Sequence, residues 1–355
     1  MNTTQDQLLH LLKIMVQNST PKSESFSNID SNKLFELANQ QTVSPILYPV
    51  IQKYFPIINL DQDINERWKN ITFYIVTKQL IMTNEVNSVF CLFRENFIPI
   101  ISLKGLFLKQ LYPQPELRMM SDIDVLIEEK NMHKAIELLK TLNYYPSPDD
   151  LEDPNYMHIE MKKRGSFSVE LHRTLWHPTI MNKYDASLWL EHIWKNKREL
   201  ESEGINYTAL ALEDEIINLI IHFARHLIDS GASLRNLCDI ALFLNRYLNQ
   251  LDAEYIEETL TSMNLFIFYQ YILSTCNMFL GLSFPLKHNI AEEKLNILMN
   301  NILSPKIISN SLVTKSKIKS FLLKNSYTKK IIKFIKGFST KARFLRSIGL
   351  RLHLN

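Results

Sequence analysis

The 355-residue sequence predicts an α+β fold, with a small sheet set between an N-terminal helical segment and a larger C-terminal helical part. Two observations predict it. Apolar residues recur about every 3.6 positions before residue 96 and again beyond about 185. Between about 97 and 175 the pattern changes to short strands alternating with helices. A third observation limits the class. The chain has 7 glycines, too few for a glycine-rich phosphate cradle, and nothing matches a Walker loop or a dinucleotide fingerprint. The chain therefore divides into 1–96 (helical), 97–180 (strands and helices), 181–303 (helical) and 304–355 (basic and helical).

In the first segment Leu8, Leu11, Leu12 and Met15 mark a helix over about 4–17, and residues 19–32 are polar and loop-like. Helices follow at about 33–54 and 64–95, separated by Pro56 and the Asp61 to Asp63 stretch. The central part reads as strand 98–103, helix 105–112, strand 122–127 and helix 131–142. A loop rich in Pro and Asp comes next, from Pro146 to Pro154. Strands at about 156–162 and 166–172 meet at an Arg164-Gly165 turn. In the second of these, Phe167, Val169 and Leu171 face one way and Ser168, Glu170 and His172 the other, as in a half-buried strand. Everything after about 185 reads as helix: 212–228 with Ile216, Leu219, Ile220, Phe223 and Leu227 on one stripe, then 233–248, 253–281 and 291–303.

Composition excludes several classes. No run is long and apolar enough to span a bilayer, and no cationic segment precedes the first apolar residues, so a cytoplasmic protein is expected. Cys91, Cys238 and Cys276 are scattered among apolar residues, which predicts buried free thiols and neither a disulfide frame nor a zinc site. The net charge of +3 is unevenly spread: the last acid is Glu293, and from Lys315 onward there are 12 Lys or Arg. Ile331, Ile332, Ile335 and Phe338 approximate a helical stripe in that basic region. It reads as an amphipathic helix covering the core, or as a surface for an acidic peptide, RNA or an anionic membrane.

The chemistry concentrates between Phe97 and Ile127 and again at Val169-Glu170-Leu171-His172. Asp122 and Asp124 lie two apart in a strand and share a face, while Ile123, Val125 and Ile127 point the other way. Like charges against a buried sheet are costly unless a cation sits between them, and an oxygen-rich site suits magnesium (or manganese). Glu170 is the expected third carboxylate, and His172 shares its face. Alone, an Asp-x-Asp is also what a solvated strand end looks like. Lys104-Gly105 and Ser121 flank the acids, and Arg118 could grip phosphate with its planar fork or pair with Asp122 or Asp124. His158 reads as a half-buried histidine or as a contact in the same cleft. His222 and His226 have metal-ligand spacing, but His-Phe-Ala-Arg-His lacks the Glu of zinc proteases, which favours packing or polar contacts. Arg235 and Asp239, one turn apart, are expected to pair with each other.

The ordered set carries a resemblance. Leu-Lys-Gly after a strand, Tyr112-Pro113, Arg118, Ser-Asp-Ile-Asp-Val-Leu, a His, and Val-Glu-Leu-His are similar to the uncharacterised nucleotidyltransferase-like family of the DNA polymerase beta superfamily. The likeness spans about 30–245 and includes His222, Arg225, His226, Arg235 and Asp239. It implies a small mixed sheet flanked by helices, a divalent metal, and a nucleoside triphosphate as donor. It makes Asp122 and Asp124 the metal-binding pair, Glu170 the third carboxylate, and Lys104-Gly105 the counterpart of the superfamily's Gly-Ser phosphate-gripping turn. A lysine before the glycine departs from that turn. The expected reaction is transfer of a nucleoside monophosphate to an acceptor hydroxyl on a peptide or small molecule. The alternatives are a kinase using the same site, with peptide maturation as its setting, and a non-catalytic protein that binds nucleotide, RNA or peptide.

Overall fold

The structure is a computed structural model, and it describes residues 1–21, 23–26, 28–147, 157–175, 184–228 and 231–303. The basic region and its expected helix and partners lie outside the described residues.

Helix α1 (Thr3–Gln17) starts at a capping box in which Asn2 and Gln5 satisfy each other's backbone amides. Its expected stripe, Leu8, Leu11, Leu12 and Met15, is buried. The expected helix at 33–54 is two helices, α2 (Ser31–Gln40) and α3 (Ser44–Lys53). The break falls at Thr42, whose φ of 55° no helix accommodates, and Pro45 opens the second helix. A single turn, α4 (Phe55–Ile58), precedes α5 (Gln62–Glu95), 34 residues and about 50 Å long. Trp68, Val86 and Phe93 bury its inner stripe.

The central unit follows: β1 (Ile100–Ser102), α6 (Gly105–Leu108), β2 (Asp122–Ile127), α7 (Met132–Thr141), β3 (Tyr145–Pro146), β4 (His158–Lys162) and β5 (Ser168–His172). β1 is shorter than the sequence suggests, because Phe97 (φ 56°) and Lys104 (φ 53°) turn the chain on either side of it.

One expectation fails here. The stretch after 185 is not wholly helical: α8 (Ser187–Asn196) is followed by a hairpin, β6 (Arg198–Ser202) and β7 (Ile205–Ala209). Its two-residue turn is Glu203-Gly204, both at positive φ (53° and 74°), the geometry whose twist matches paired strands. The hairpin matters because β7 runs parallel to β1 and extends the sheet, giving the order β3-β4-β5-β2-β1-β7-β6. The sheet is mixed: β1 is antiparallel to β2, and β2 is parallel to β5.

Helices α9 (Leu212–Ile228), α10 (Leu234–Tyr247), α11 (Ala253–Ser262), α12 (Phe266–Leu280) and α13 (Glu292–Leu303) complete the chain. The expected helix at 253–281 breaks at Asn264, at φ 56°. Ile123, Val125, Ile127, Ile159, Met161, Val169 and Leu171 are all buried on the apolar side of the sheet. Among the described residues no helix is long and apolar enough to cross a membrane.

Candidate active site

Strand alternation sets the polar face of the sheet. In the parallel β2–β5 ladder Asp122 is paired with Ser168, Asp124 with Glu170 and Leu126 with His172. In the antiparallel β4–β5 ladder His158 is paired with His172 and Glu160 with Glu170. Paired residues on neighbouring strands point to the same side, so Asp122, Asp124, Glu170, His172 and His158 share one face. Helices α9 and α10 stand over it. Between them lies a cavity of about 160 Å³, lined from the sheet side by Lys104, Gly105, Ser121, Asp122, Asp124 and Glu170. His222, Arg225, His226, Arg235 and Asp239 line it from the helices.

The segment leading into β2 is held from both flanks. Gln79, in the middle of α5, donates its amide to the Met120 carbonyl (3.0 Å) and accepts the Met120 N–H (2.9 Å). From the other side Arg118 donates through Nε and Nη2 to the two oxygens of Asp239, both at 2.8 Å, and Tyr112 donates its hydroxyl to the same carboxylate at 2.7 Å. Arg235 donates to the Met119 carbonyl at 2.6 Å. The expected Arg235–Asp239 pairing is thus replaced by Arg118–Asp239, across 121 residues. The guanidinium fork of Arg118 is taken up by this carboxylate, so Arg118 lines the cavity as a fixed charge.

The acids are in unlike states. Burial, then Asp124 and Glu170, push the Asp122 carboxyl up to about 6. Burial also works against ionised Asp124, but Lys104 and a hydrogen bond from His172 outweigh it and hold that carboxyl well below the usual range. Lys104 Nζ is 3.1 Å from Asp124 Oδ2, and His172 Nε2 is 2.8 Å from Asp124 Oδ1 and 3.2 Å from Glu170 Oε2. Burial likewise opposes ionised Glu170, and the His172 hydrogen bond more than offsets it. Burial drives the His222 imidazole well down, helped by Lys104 and His226, and its Nε2 lies 3.1 Å from that of His226.

A model of the uncharacterised nucleotidyltransferase family matches residues 27–281. The chain belongs to that family. It is a nucleotidyltransferase-like enzyme, and the family describes nucleotidyl transfer in general terms. None of the curated proteins compared matches the sequence. Among solved structures, the solution structure of antibiotic-resistance factor ANT(2'')-Ia is 12% identical with a TM-score of 0.36, covering 54% of this chain and 96% of that one. A nucleotidyltransferase-like protein from Paracoccidioides brasiliensis is 15% identical with a TM-score of 0.30, covering 46% and 74%. Likeness of that degree carries no argument about the site.

Of the residues singled out in this nucleotidyltransferase-like chain by sequence alone, Lys104, Gly105, Arg118, Ser121, Asp122, Asp124 and Glu170 all line the cavity, while His172 lies behind it and touches two of the acids. The glycine also has a packing part. A Cβ on Gly105 would come within 3.2 Å of the Met120 side chain, so its smallness serves packing. The unusual backbone belongs to Lys104, at φ 53° and ψ −86°, a strained region for any residue with a side chain. Gln79, Met120 and Asn236 escaped sequence reasoning; nothing in a mid-helix glutamine signals a partner 41 residues away. Glu215 did too: it is fully buried, neither carboxylate oxygen has a partner among the described residues, and burial raises it to about 7.

The donor set fits a divalent cation. Asp122 is crowded by two other acids and hydrogen-bonds no described residue, so a doubly charged ion beside it would relieve the repulsion that raises its carboxyl.

Proposed function

We propose that the chain is a magnesium-dependent nucleotidyltransferase that moves a nucleoside monophosphate from a nucleoside triphosphate to an acceptor hydroxyl. The observation that carries this reading is the convergence of Asp122, Asp124 and Glu170, from two adjacent parallel strands, on one cavity that also bears Lys104 beside the acids and Arg225 and Arg235 from the helices. Acids and cations lining one cavity form a seat for metal and polyphosphate together. Magnesium (or manganese) held on Asp122, Asp124 and Glu170 would neutralise the triphosphate and the charge growing on departing pyrophosphate.

The chain's own residues do the rest by position and charge. Lys104, at the strained turn after β1, points its ammonium into the acid cluster, where it can meet the phosphate oxygens as well as Asp124. Arg225 and Arg235 supply charge from the helix side. Glu170, more exposed than Asp124 (20% against 9%), would take the acceptor's proton as its oxygen attacks the α-phosphorus in line. Arg118, Asp239 and Tyr112 keep the Ser121-Asp122 entrance fixed.

The test uses triphosphates labelled at the α- or γ-phosphorus. Transfer of α-label to an acceptor, with pyrophosphate released and with loss of transfer in Asp122→Ala, supports the reading. Transfer of γ-label alone makes the protein a kinase instead. Metal-dependent binding without either transfer leaves a nucleotide-binding protein.

A further inference from the structure

We propose that His158, Glu170 and His172 form a second cation site, one that takes a nitrogen-preferring divalent transition ion of the zinc class and shares Glu170 with the acidic pair. The proposal goes beyond nucleotidyl transfer and does not depend on it.

The antiparallel β4–β5 ladder sets His158 directly opposite His172 on the polar face, with Glu170 the next residue on that face. The Nε2 atoms of His158 and His172 lie 3.7 and 3.2 Å from the same oxygen, Glu170 Oε2. One donor atom from each of the three residues lies within 4.8 Å of the other two. An ion with bonds of about 2.0–2.2 Å needs donors roughly 3–3.5 Å apart, so small side-chain rotations complete the set. The backbone is already placed: all three residues stand on adjacent strands of one sheet, and their side chains are 16%, 20% and 5% exposed. Donors carried by paired strands keep their spacing without an ion, unlike donors on a loop.

Donor chemistry decides the ion. Two imidazoles and one carboxylate favour zinc-class ions, whereas magnesium favours an all-oxygen set such as Asp122, Asp124 and Glu170. The two sites are therefore distinct in preference, though they meet at Glu170 and at His172, whose Nε2 would exchange its 2.8 Å hydrogen bond to Asp124 Oδ1 for the ion. Three protein donors also leave room on the ion for a water or a substrate oxygen.

The experiment uses the full-length chain stripped of metal with a chelator and titrated with Co2+, whose visible absorption reports its ligand geometry. One Co2+ should bind per chain with intense tetrahedral bands, Zn2+ should displace it stoichiometrically, and millimolar Mg2+ should not. His158→Ala should weaken Co2+ binding at least tenfold, and His158→Gln should do the same. Circular dichroism checks that both variants remain folded. Asp122→Asn should leave the bands unchanged. Co2+ binding indifferent to both His158 variants, or lost in Asp122→Asn, overturns the proposal. So does binding that follows His226→Ala, which would move the ion to the His222–His226 pair. The α-label transfer assay reads the magnesium-dependent function separately, so either idea can fail alone.

Discussion

Lys104 Nζ sits 3.1 Å from Asp124 Oδ2, with both side chains nearly enclosed, so an internal cation is already lodged against the acid pair. A lysine here is a point charge on a flexible stem, able to swing between Asp124 and an incoming phosphate. Lys104→Met should weaken triphosphate binding by roughly tenfold or more, the scale of one charge-assisted contact of about 1.5 kcal/mol or more. Equilibrium dialysis with a labelled triphosphate measures it. Unchanged affinity would remove Lys104 from the phosphate site.

Asp122 should show function opposing stability. Its carboxyl is raised to about 6 in the folded protein from 3.8. Between those values the native state holds a proton that the unfolded chain has released, so metal-free stability falls as pH rises through that window. Asp122→Asn should therefore be more stable than the parent at pH 7–8, by up to about 3 kcal/mol, and equal to it near pH 3.5. Magnesium should stabilise the parent and not the variant. Urea titrations with and without the ion give both answers.

Glu215 obeys the same sign over a higher range. Burial lifts its carboxyl from 4.5 to about 7, so its contribution declines as pH rises from about 4.5 through 7. Glu215→Gln should flatten that slope, matching the parent at pH 4.5 and exceeding it at pH 8 by up to about 3 kcal/mol. A variant whose pH slope equals the parent's would show that the folded protein keeps Glu215 ionised.

The Arg118–Asp239 pair should be costly to break and cheap to replace. Asp239→Ala leaves a guanidinium buried without its partner, a loss of about 3–5 kcal/mol. Arg118→Met combined with Asp239→Leu should recover most of the stability, since apolar pairs of similar volume often equal buried ion pairs. Thermal melts of the single and double variants separate the two effects. If the double variant recovers its melting temperature but not α-label transfer, the pair's role is to fix the entrance to β2.

Much of the candidate site was legible because strand alternation is local. Asp122, Ile123 and Asp124 announce their faces from three letters, and β5 does so from five. The partners that hold them were not legible. Arg118 and Asp239 are 121 residues apart, and the helical spacing of Arg235 and Asp239 suggested a nearer match that the fold does not make. The hairpin at 198–209 was hidden by charge: Arg-Glu-Leu-Glu-Ser looks like solvated helix until Glu203-Gly204 is recognised as a turn. The second cation site was hidden for the converse reason, since His158 and His172 acquire meaning only from the ladder that pairs them.

The hairpin has a practical consequence for anyone dissecting this chain. Because β7 hydrogen-bonds the far side of β1, a fragment excised at about residue 180 would strip one row of main-chain amides and carbonyls from the strand that leads to Lys104. Such a piece would carry all three acids and a naked sheet margin, and it would meet its own copies through that margin before it met a nucleotide.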